Sequence, residues 1–205
     1  MNRVSTKQSN NNMLKKDGYN FTKTLFLLLF PLLFVSCGSL IEVNGLTNDF
    51  DKLSEAQKAL VMPFESFDET KAGFVYKVTA SELKSELKDC PKAMVRVFNP
   101  KCSSKSCQPL SYYQQYADDN GLYLIQVMIS YAGLEEAVQQ SSSKPLFVID
   151  DAAYGSKLRP VYERYFTNEL LGLPRKTKYD DIPENMTGQI YFFEFGTLKE
   201  VKTEL

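Results

Sequence analysis

The sequence predicts an α/β fold: a mixed central sheet flanked by helices, with a helical insertion before the final β-hairpin. Two almost continuously apolar runs, Ala93–Phe98 and Leu122–Ser130, are typical of strands covered on both faces of a sheet. Between these runs lie a polar loop with Cys102 and Cys107 and a segment with helical spacing of apolar residues, 110–117. Strand, cysteine loop, helix and strand form one unit, around which the other elements are arranged.

Residues 1–36 have the features of a bacterial lipoprotein signal peptide. Basic residues precede the apolar run Leu25–Val35, which is shorter than the about 20 apolar residues that a membrane-spanning helix needs. The run ends in Phe34-Val-Ser-Cys37, which resembles a lipobox, so Cys37 is the predicted site of acylation, for example by palmitate. The alternative is an ordinary signal peptide with an incidental cysteine, and Met13 is a second candidate start.

The predicted anchor sets the expected location and the domain boundaries. Acyl chains on Cys37 would hold the mature chain on a membrane of the bacterial cell envelope. Only Glu42 is acidic in the segment just after Cys37, which favours the periplasmic face over the cell surface. Residues 37–60 are expected to form a lipidated tether with a short N-terminal helix, and residues 61–205 the folded domain.

The segment before the cysteine loop predicts a helix, a strand and a second helix. Apolar residues recur at helical spacing over Asp49–Leu60, and Met62-Pro-Phe64 ends that pattern. Phe74–Val78 is rich in aromatic and β-branched residues, as strands are. Thr79-Ala-Ser-Glu82 has the pattern of a capping box, which opens a helix through about Lys88.

The segment after the second apolar run predicts two helices and three strands. In chain order they are a helix over Leu134–Gln140, a strand over Leu146–Asp150 preceded by Pro145, a helix from Arg159 to Gly172 inside the insertion Asp151–Thr187, and strands over Gly188–Phe195 and Leu198–Thr203. Two faces of the inserted helix are candidates for burial: Val161, Tyr165 and Leu170, or Tyr162 and Phe166.

The order of a strand, a two-cysteine loop, a helix and a second strand resembles the thioredoxin family over roughly Phe74–Val201. The resemblance implies a thiol–disulfide oxidoreductase acting on exported proteins, with Cys102 as the attacking thiolate and Cys107 as the resolving thiol. It also implies that Pro145, 43 residues after Cys102 (145 − 102), opens its strand with a cis peptide bond and faces the cysteines.

Two features of the loop differ from the thioredoxin pattern and leave the function open. Four residues separate Cys102 from Cys107, where the family has two, and no tryptophan adjoins them. In the alternative interpretation the domain is a non-catalytic module that binds a protein or peptide, and its disulfide is structural. A Cys102–Cys107 disulfide is predicted under both interpretations, because exported proteins meet an oxidising compartment.

Composition excludes several classes of function. The chain has no histidine, which removes Ser–His and Cys–His catalysis and the imidazole ligands of most metal sites, so no metal or cofactor is predicted. The 24 Lys and Arg nearly balance the 25 Asp and Glu, so no basic surface suits nucleic acid. The expected partners are therefore a membrane and an exported protein or peptide. Cys90 is interpreted as a small apolar residue at a helix end.

Overall fold

A seven-stranded sheet is the centre of this computed structural model, which describes residues 46–102, 107–141 and 143–205. Its strands are β1 (Val61–Pro63), β2 (Val75–Val78), β3 (Ala93–Phe98), β4 (Tyr123–Met128), β5 (Leu146–Ile149), β6 (Ile190–Glu194) and β7 (Thr197–Lys202). The α-helices of the described ranges are α1 (Glu55–Lys58), α2 (Ala80–Glu86), α3 (Leu110–Asp119), α4 (Leu134–Gln140) and α5 (Arg159–Leu171).

The predicted signal peptide, Cys37 and the first part of the tether lie outside the described residues. Those predictions therefore stay predictions. Within the described ranges, no helix has both the length and the apolar character needed to cross a membrane.

The strand order is β1-β2-β5-β4-β3-β6-β7. The first five strands run parallel, and β6 and β7 form an antiparallel hairpin beside β3. The predicted α/β class, with a mixed sheet flanked by helices, is confirmed. Residues of β3 and β4 pair from Ala93 opposite Tyr123 to Phe98 opposite Met128, so these two strands end at the same edge of the sheet.

The neighbours of β5 and β6 differ from the thioredoxin-like expectation. In that pattern the strand after Pro145 has the next strand as its antiparallel partner, whereas here β5 lies between β2 and β4 and β6 pairs with β3. All four residues of β5 are buried, as expected of a strand with a neighbour on each side and helices on both faces. The residues of β7 are exposed or half-buried, which suits the edge of a sheet.

Successive residues of β3 point to opposite faces of the sheet and so contact two helical layers. Val95 and Val97 belong to the core cluster that packs against α2 and α5, and Met94 and Phe98 face α3 and α4. The inserted helix α5 contributes three fully buried residues to the first layer, at i, i+4 and i+8: Tyr162, Phe166 and Leu170. Of the two predicted faces of this helix, the second is the buried one. Leu170 of the first face is buried with it, whereas Val161 and Tyr165 are half-buried.

The segment before β1 differs from the single helix predicted over Asp49–Leu60. A 3-10 turn at Phe50–Lys52 and the short α1 are separated at Ser54, whose hydroxyl accepts the Gln57 N–H while the Gln57 side chain accepts the Ser54 N–H. This capping box starts a new helix and so ends the preceding turn. Strand β1, which sequence patterns did not predict, follows at the sheet edge, where Pro63 is tolerated.

Candidate functional site

The disulfide between Cys102 and Cys107 is present, which confirms the predicted pairing. The two Cα atoms are 6.0 Å apart, within the range of about 4.4–6.8 Å usual for disulfides. Cys102 is exposed and Cys107 is half-buried, so the Cys102 side of the bridge faces solvent. The bridge closes the connection from β3 to α3 beside the carboxyl ends of the parallel strands.

Cys107 lies before helix α3 and does not open it. The helix begins at Leu110, and its N-cap is Pro109, an extended residue with φ −61° and ψ 157°. A residue before a proline is sterically held out of the helical region, which accounts for the non-helical Gln108. Cys107 therefore precedes the first helical turn. The helix dipole fades within one turn, so it has little effect on the Cys107 sulfur.

Pro145 lies apart from the disulfide, and the prediction that its peptide bond is cis is wrong. The described residues contain no cis peptide bond, so the bond between Lys144 and Pro145 is trans, the form that an X-Pro bond prefers by about 0.5–1 kcal/mol. Pro145 precedes the amino end of β5, whereas the disulfide follows the carboxyl end of β3. An antiparallel pair of strands would bring those two ends together. The parallel orientation places them toward opposite ends of the sheet.

A cleft of about 300 Å³ opens beside the disulfide, between the β3–α3 connection and helix α4. Its lining combines polar and apolar groups, among them Arg96, Asn99, Cys102, Cys107, Leu110 and Gln140. No Asp or Glu is among the described residues that line it. Small-molecule sites usually have volumes of about 300–1,000 Å³, so this cleft suits a small ligand or one side group of a larger one.

Arg96 is the charged group of this cleft, and only 7% of its surface is exposed. It extends from the middle of β3 on the face that packs against α3. Its guanidinium carbon lies 3.7 Å from the centre of the Tyr113 ring and 4.7 Å from the centre of the Phe98 ring. Its Nη1 donates a hydrogen bond to Gln126 Oε1 at 3.4 Å. Aromatic faces attract cations, so both rings stabilise the charge in place.

Arg96 forms no ion pair with an Asp or Glu of the described residues, whose salt bridges join other side chains. Burial lowers the pKa of Arg96 from its usual 12.5, and Tyr113 opposes that shift. The guanidinium nevertheless stays protonated, as arginine does throughout the physiological pH range. A buried charge of this kind is costly to hold without an opposite charge. In the described part of the chain, two aromatic rings, the Gln126 amide and a hydrogen bond with the Tyr113 side chain surround this positive charge, and none of these groups is a carboxylate.

Helix α4 borders the cleft through Gln140, which is itself exposed. Its Oε1 accepts the N–H of Leu110 at 3.5 Å, one of the N–H groups that have no partner inside helix α3. The amino terminus of a helix carries a partial positive charge. Gln140 is the last residue of α4, whose carboxyl end carries the opposite partial charge, so Arg96 is the group that makes the described lining of the cleft positive.

Cys90 is the free cysteine of the described part of the chain. It precedes β3 and Cys102 follows it, so the six residues of that strand separate the two sulfurs by roughly 20 Å. Burial raises the pKa of the Cys90 thiol, which lowers its thiolate fraction. Its partly buried side chain packs against the core, in agreement with its interpretation as a small apolar residue.

Comparison with known proteins identifies no relative: no protein-family model matches the chain, and no curated protein or solved structure matches it. In the ranges that the structure describes, no group of three or more Cys, Asp or Glu residues could hold a metal ion. The disulfide and the cleft beside it are therefore the features that indicate the chemistry of the site.

Sequence patterns did not identify Arg96 or Gln126 as site residues. Each is a polar residue inside an apolar strand, and the two lie directly opposite each other in the β3–β4 register. The available signal was the charge of Arg96 itself, because arginine is almost never fully buried unless it is paired. That signal marks one residue, but it does not show which rings, amides and helix end surround it.

Proposed function

We propose that this chain is a lipid-anchored, thioredoxin-like binding module of the bacterial cell envelope, whose Cys102–Cys107 disulfide braces one wall of a ligand cleft. The observation that carries the proposal is that both cysteines line the cleft and close the connection that borders it. Open α/β sheets bind ligands beyond the carboxyl ends of their strands, and the cleft lies at that edge. A cross-linked wall also has less conformational freedom to lose when a ligand binds.

Two further observations support the envelope location and the thioredoxin-like description. The apolar run Leu25–Val35, which one serine separates from Cys37, supports export and lipid anchoring. The chain order β2, α2, β3, cysteine connection, α3 and β4, with the hairpin of β6 and β7 beside β3, supports a thioredoxin-like domain. The inserted parallel strand β5 is this chain's departure from that pattern.

A thiol–disulfide oxidoreductase is the second candidate, favoured by the exposure of Cys102. In its reduced form, the Cys102 thiolate would attack a disulfide of an exported protein, forming a mixed disulfide and releasing one substrate sulfur as a thiol. Cys107 would then attack the Cys102 sulfur and release the second substrate thiol. The substrate disulfide is thereby reduced to a dithiol, and the Cys102–Cys107 pair is oxidised.

Three features around the disulfide favour bracing over catalysis, whereas Arg96, which lines the same cleft, would favour a thiolate. The first turn of α3 begins after Cys107, at Leu110, so the helix dipole gives little help to a thiolate at either cysteine. Pro145 lies toward the other end of the sheet. The chain also has no histidine to act as a base beside the thiols.

The reduction potential of the Cys102–Cys107 pair separates the two functions. The purified full chain is equilibrated in glutathione buffers of stepped potential, free thiols are alkylated, and the mass of the intact chain gives the reduced fraction. A bracing disulfide stays oxidised down to below about −300 mV, whereas a catalytic pair is reduced at higher potentials. A Cys102→Ser/Cys107→Ser variant supplies the background from the remaining cysteines. A midpoint above about −250 mV would reject the bracing role and favour the oxidoreductase.

A further inference from the structure

The guanidinium of Arg96 has unused capacity to bind a ligand. Tyr113 and Phe98 contact it through their ring faces, and such contacts leave the N–H groups at the edge of a guanidinium available. A guanidinium carries five N–H donors. Gln126 accepts a hydrogen bond from Nη1 at 3.4 Å and the Tyr113 side chain accepts another, which leaves the remaining donors for a ligand. Because Arg96 is 7% exposed, lines the cleft and has no carboxylate partner in the described ranges, a ligand in the cleft is the available source of a counter-charge.

The charge and polarity of the cleft favour one negative group of moderate size. Arg96 is the single full charge among the described lining residues of the cleft, and the partial charges of the α3 amino end and the α4 carboxyl end are opposite in sign. One guanidinium matches one carboxylate, which it can hold through two parallel hydrogen bonds. A phosphate dianion would bring a second negative charge that no other described lining residue balances.

The remaining walls suit the organic part of such a ligand. Leu110 and Ala137 are buried apolar residues that border the cleft, and Pro109 lies beside them. An inorganic anion would leave these groups without a contact, whereas a carboxylic acid with a small apolar body would cover them. Gln140 borders the cleft on the side of α4 and is exposed, so a longer ligand can extend past it into solvent.

We infer that this cleft is a carboxylate-binding site, in which Arg96 holds the carboxylate group of a small organic acid or of a peptide terminus. The inference rests on the proposed binding function and specifies its ligand chemistry. The disulfide then has a defined task, since it keeps the cleft wall in place beside the bound acid. Tyr113 and Gln126 act as positioning residues, because they hold the guanidinium and do not need to touch the ligand.

Matched acids and amides test the inference on the full chain in a non-ionic detergent. Sodium benzoate and benzamide differ only in the charged group, and N-acetylglycylglycine and its amide make the same comparison for a peptide terminus. The ¹H–¹⁵N signals of the Leu110 amide and the Arg96 Nε report binding. We expect saturable shifts with benzoate, at a Kd on the order of 1 mM, and none with benzamide. Saturable shifts with the dipeptide as well identify a peptide terminus as a ligand, and shifts with benzoate alone identify a free organic acid.

Two isosteric variants make the test specific to the cleft. Gln140→Glu keeps an oxygen that can accept the Leu110 N–H but places a negative charge at the cleft border. Gln139→Glu adds the same charge to the same helix at an exposed position that does not line the cleft. We expect the benzoate Kd to rise about tenfold in Gln140→Glu and to stay within about twofold in Gln139→Glu. Arg96→Lys keeps the positive charge but lacks the parallel N–H donors of the guanidinium, so it should bind benzoate more weakly than the unmodified chain.

Several results would overturn the carboxylate site. They are equal shifts with each acid and its amide, no saturable shift below about 100 mM of either benzoate or N-acetylglycylglycine, tighter binding of phosphate than of both acids, or equal effects of the two glutamate variants. The Gln140→Glu comparison remains decisive if Arg96→Lys fails to fold. The redox midpoint is measured independently, so loss of the bracing role and loss of the carboxylate site give different results.

Discussion

The guanidinium carbon of Arg96 lies 3.7 Å from the centre of the Tyr113 ring, and this contact joins strand β3 to helix α3 beside the disulfide. Both residues are buried, with 7% and 6% of their surfaces exposed. Contacts between a cation and an aromatic face contribute about 0.5–2 kcal/mol, with the larger values at sites shielded from water. The contact therefore holds the cleft charge in position and stabilises the packing of α3 on the sheet.

Replacing the Tyr113 ring should cost more than removing its hydroxyl. Tyr113→Phe keeps the aromatic face over Arg96, whereas Tyr113→Leu removes it, so we expect the leucine variant to lose about 1–2 kcal/mol more free energy of unfolding. Urea unfolding followed by far-UV circular dichroism measures both losses. Tyr112→Leu is the control, because Tyr112 is 42% exposed on the same helix and should cost less. Equal losses in Tyr113→Phe and Tyr113→Leu would show that the ring does not stabilise the charge.

Reduction of the disulfide should leave the fold intact. The Cys102–Cys107 bridge closes a short loop, with a sequence separation of 5, so its stabilisation should be below the roughly 3 kcal/mol estimated for a 15-residue loop. We expect the Cys102→Ser/Cys107→Ser variant to keep a cooperative urea transition at a lower midpoint. Loss of that transition would contradict a bridge that only braces the cleft wall. Mass mapping of the unreduced chain provides the control, by showing that Cys90 takes no part in the bridge.

Cys37→Ala should release the protein into the soluble fraction or block processing of its leader. The reason is that Cys37 follows the apolar run Leu25–Val35 after a single serine, where a lipoprotein signal ends. Membrane fractionation with a carbonate wash, together with the mass of the mature chain, measures both outcomes. Cys90→Ala is the matched control and should stay with the membranes. A correctly processed Cys37→Ala chain that still resists the carbonate wash would reject lipid anchoring.

Phe195 has a backbone conformation that its side chain disfavours. It has φ 47° and is followed by Gly196 with φ 71°, in the two-residue turn between β6 and β7. Turns of this kind favour Asn-Gly, and the Phe195 ring is 65% exposed, so Phe195→Asn should raise the free energy of unfolding by about 1 kcal/mol. Phe195→Ala, which removes the ring but keeps the strain, should give no such gain in the same urea experiment. An unchanged or lower midpoint in Phe195→Asn would contradict this explanation.

Glu163 should make the protein less stable as the pH rises. Burial raises the pKa of Glu163 above its usual 4.5, and the nearby Arg159 opposes the shift. The folded chain thus holds this proton more tightly than the unfolded chain, and stability falls as the pH rises from 4.5 through the pKa of the folded state. We expect Glu163→Gln to have a higher thermal midpoint than the unmodified chain at about pH 7 and an equal one near pH 3.5. Glu65→Gln, which removes a carboxylate at an exposed position, is the control.

Short-range patterns were sufficient to predict most of the helices and strands. The capping box at Thr79 and Glu82 starts α2 where predicted, with the Glu82 N–H donating to Thr79 Oγ1 at 3.2 Å and the Thr79 N–H donating to Glu82 Oε2 at 2.8 Å. The inserted helix α5 has its proline in the first turn and ends at Gly172, whose φ is 79°. These signals are readable because caps, breakers and the alternation of apolar residues depend on neighbours within a few positions. The Cys102–Cys107 pairing is predictable for the same reason.

The strand order and the cleft depend instead on contacts between distant parts of the chain. The apolar run of β5 shows that the strand is buried, but any parallel neighbour can satisfy its backbone hydrogen bonds, so the sequence does not reveal that β2 and β4 flank it. Because β5 runs parallel to its neighbours, Pro145 at its amino end lies toward the end of the sheet opposite the disulfide. Arg96 meets Gln126 of β4 and Tyr113 of α3, and shares its cleft with Gln140 of α4, only because these elements pack on one face of the sheet. Local propensity determines each element, whereas burial of both sheet faces determines which of them surround a buried charge.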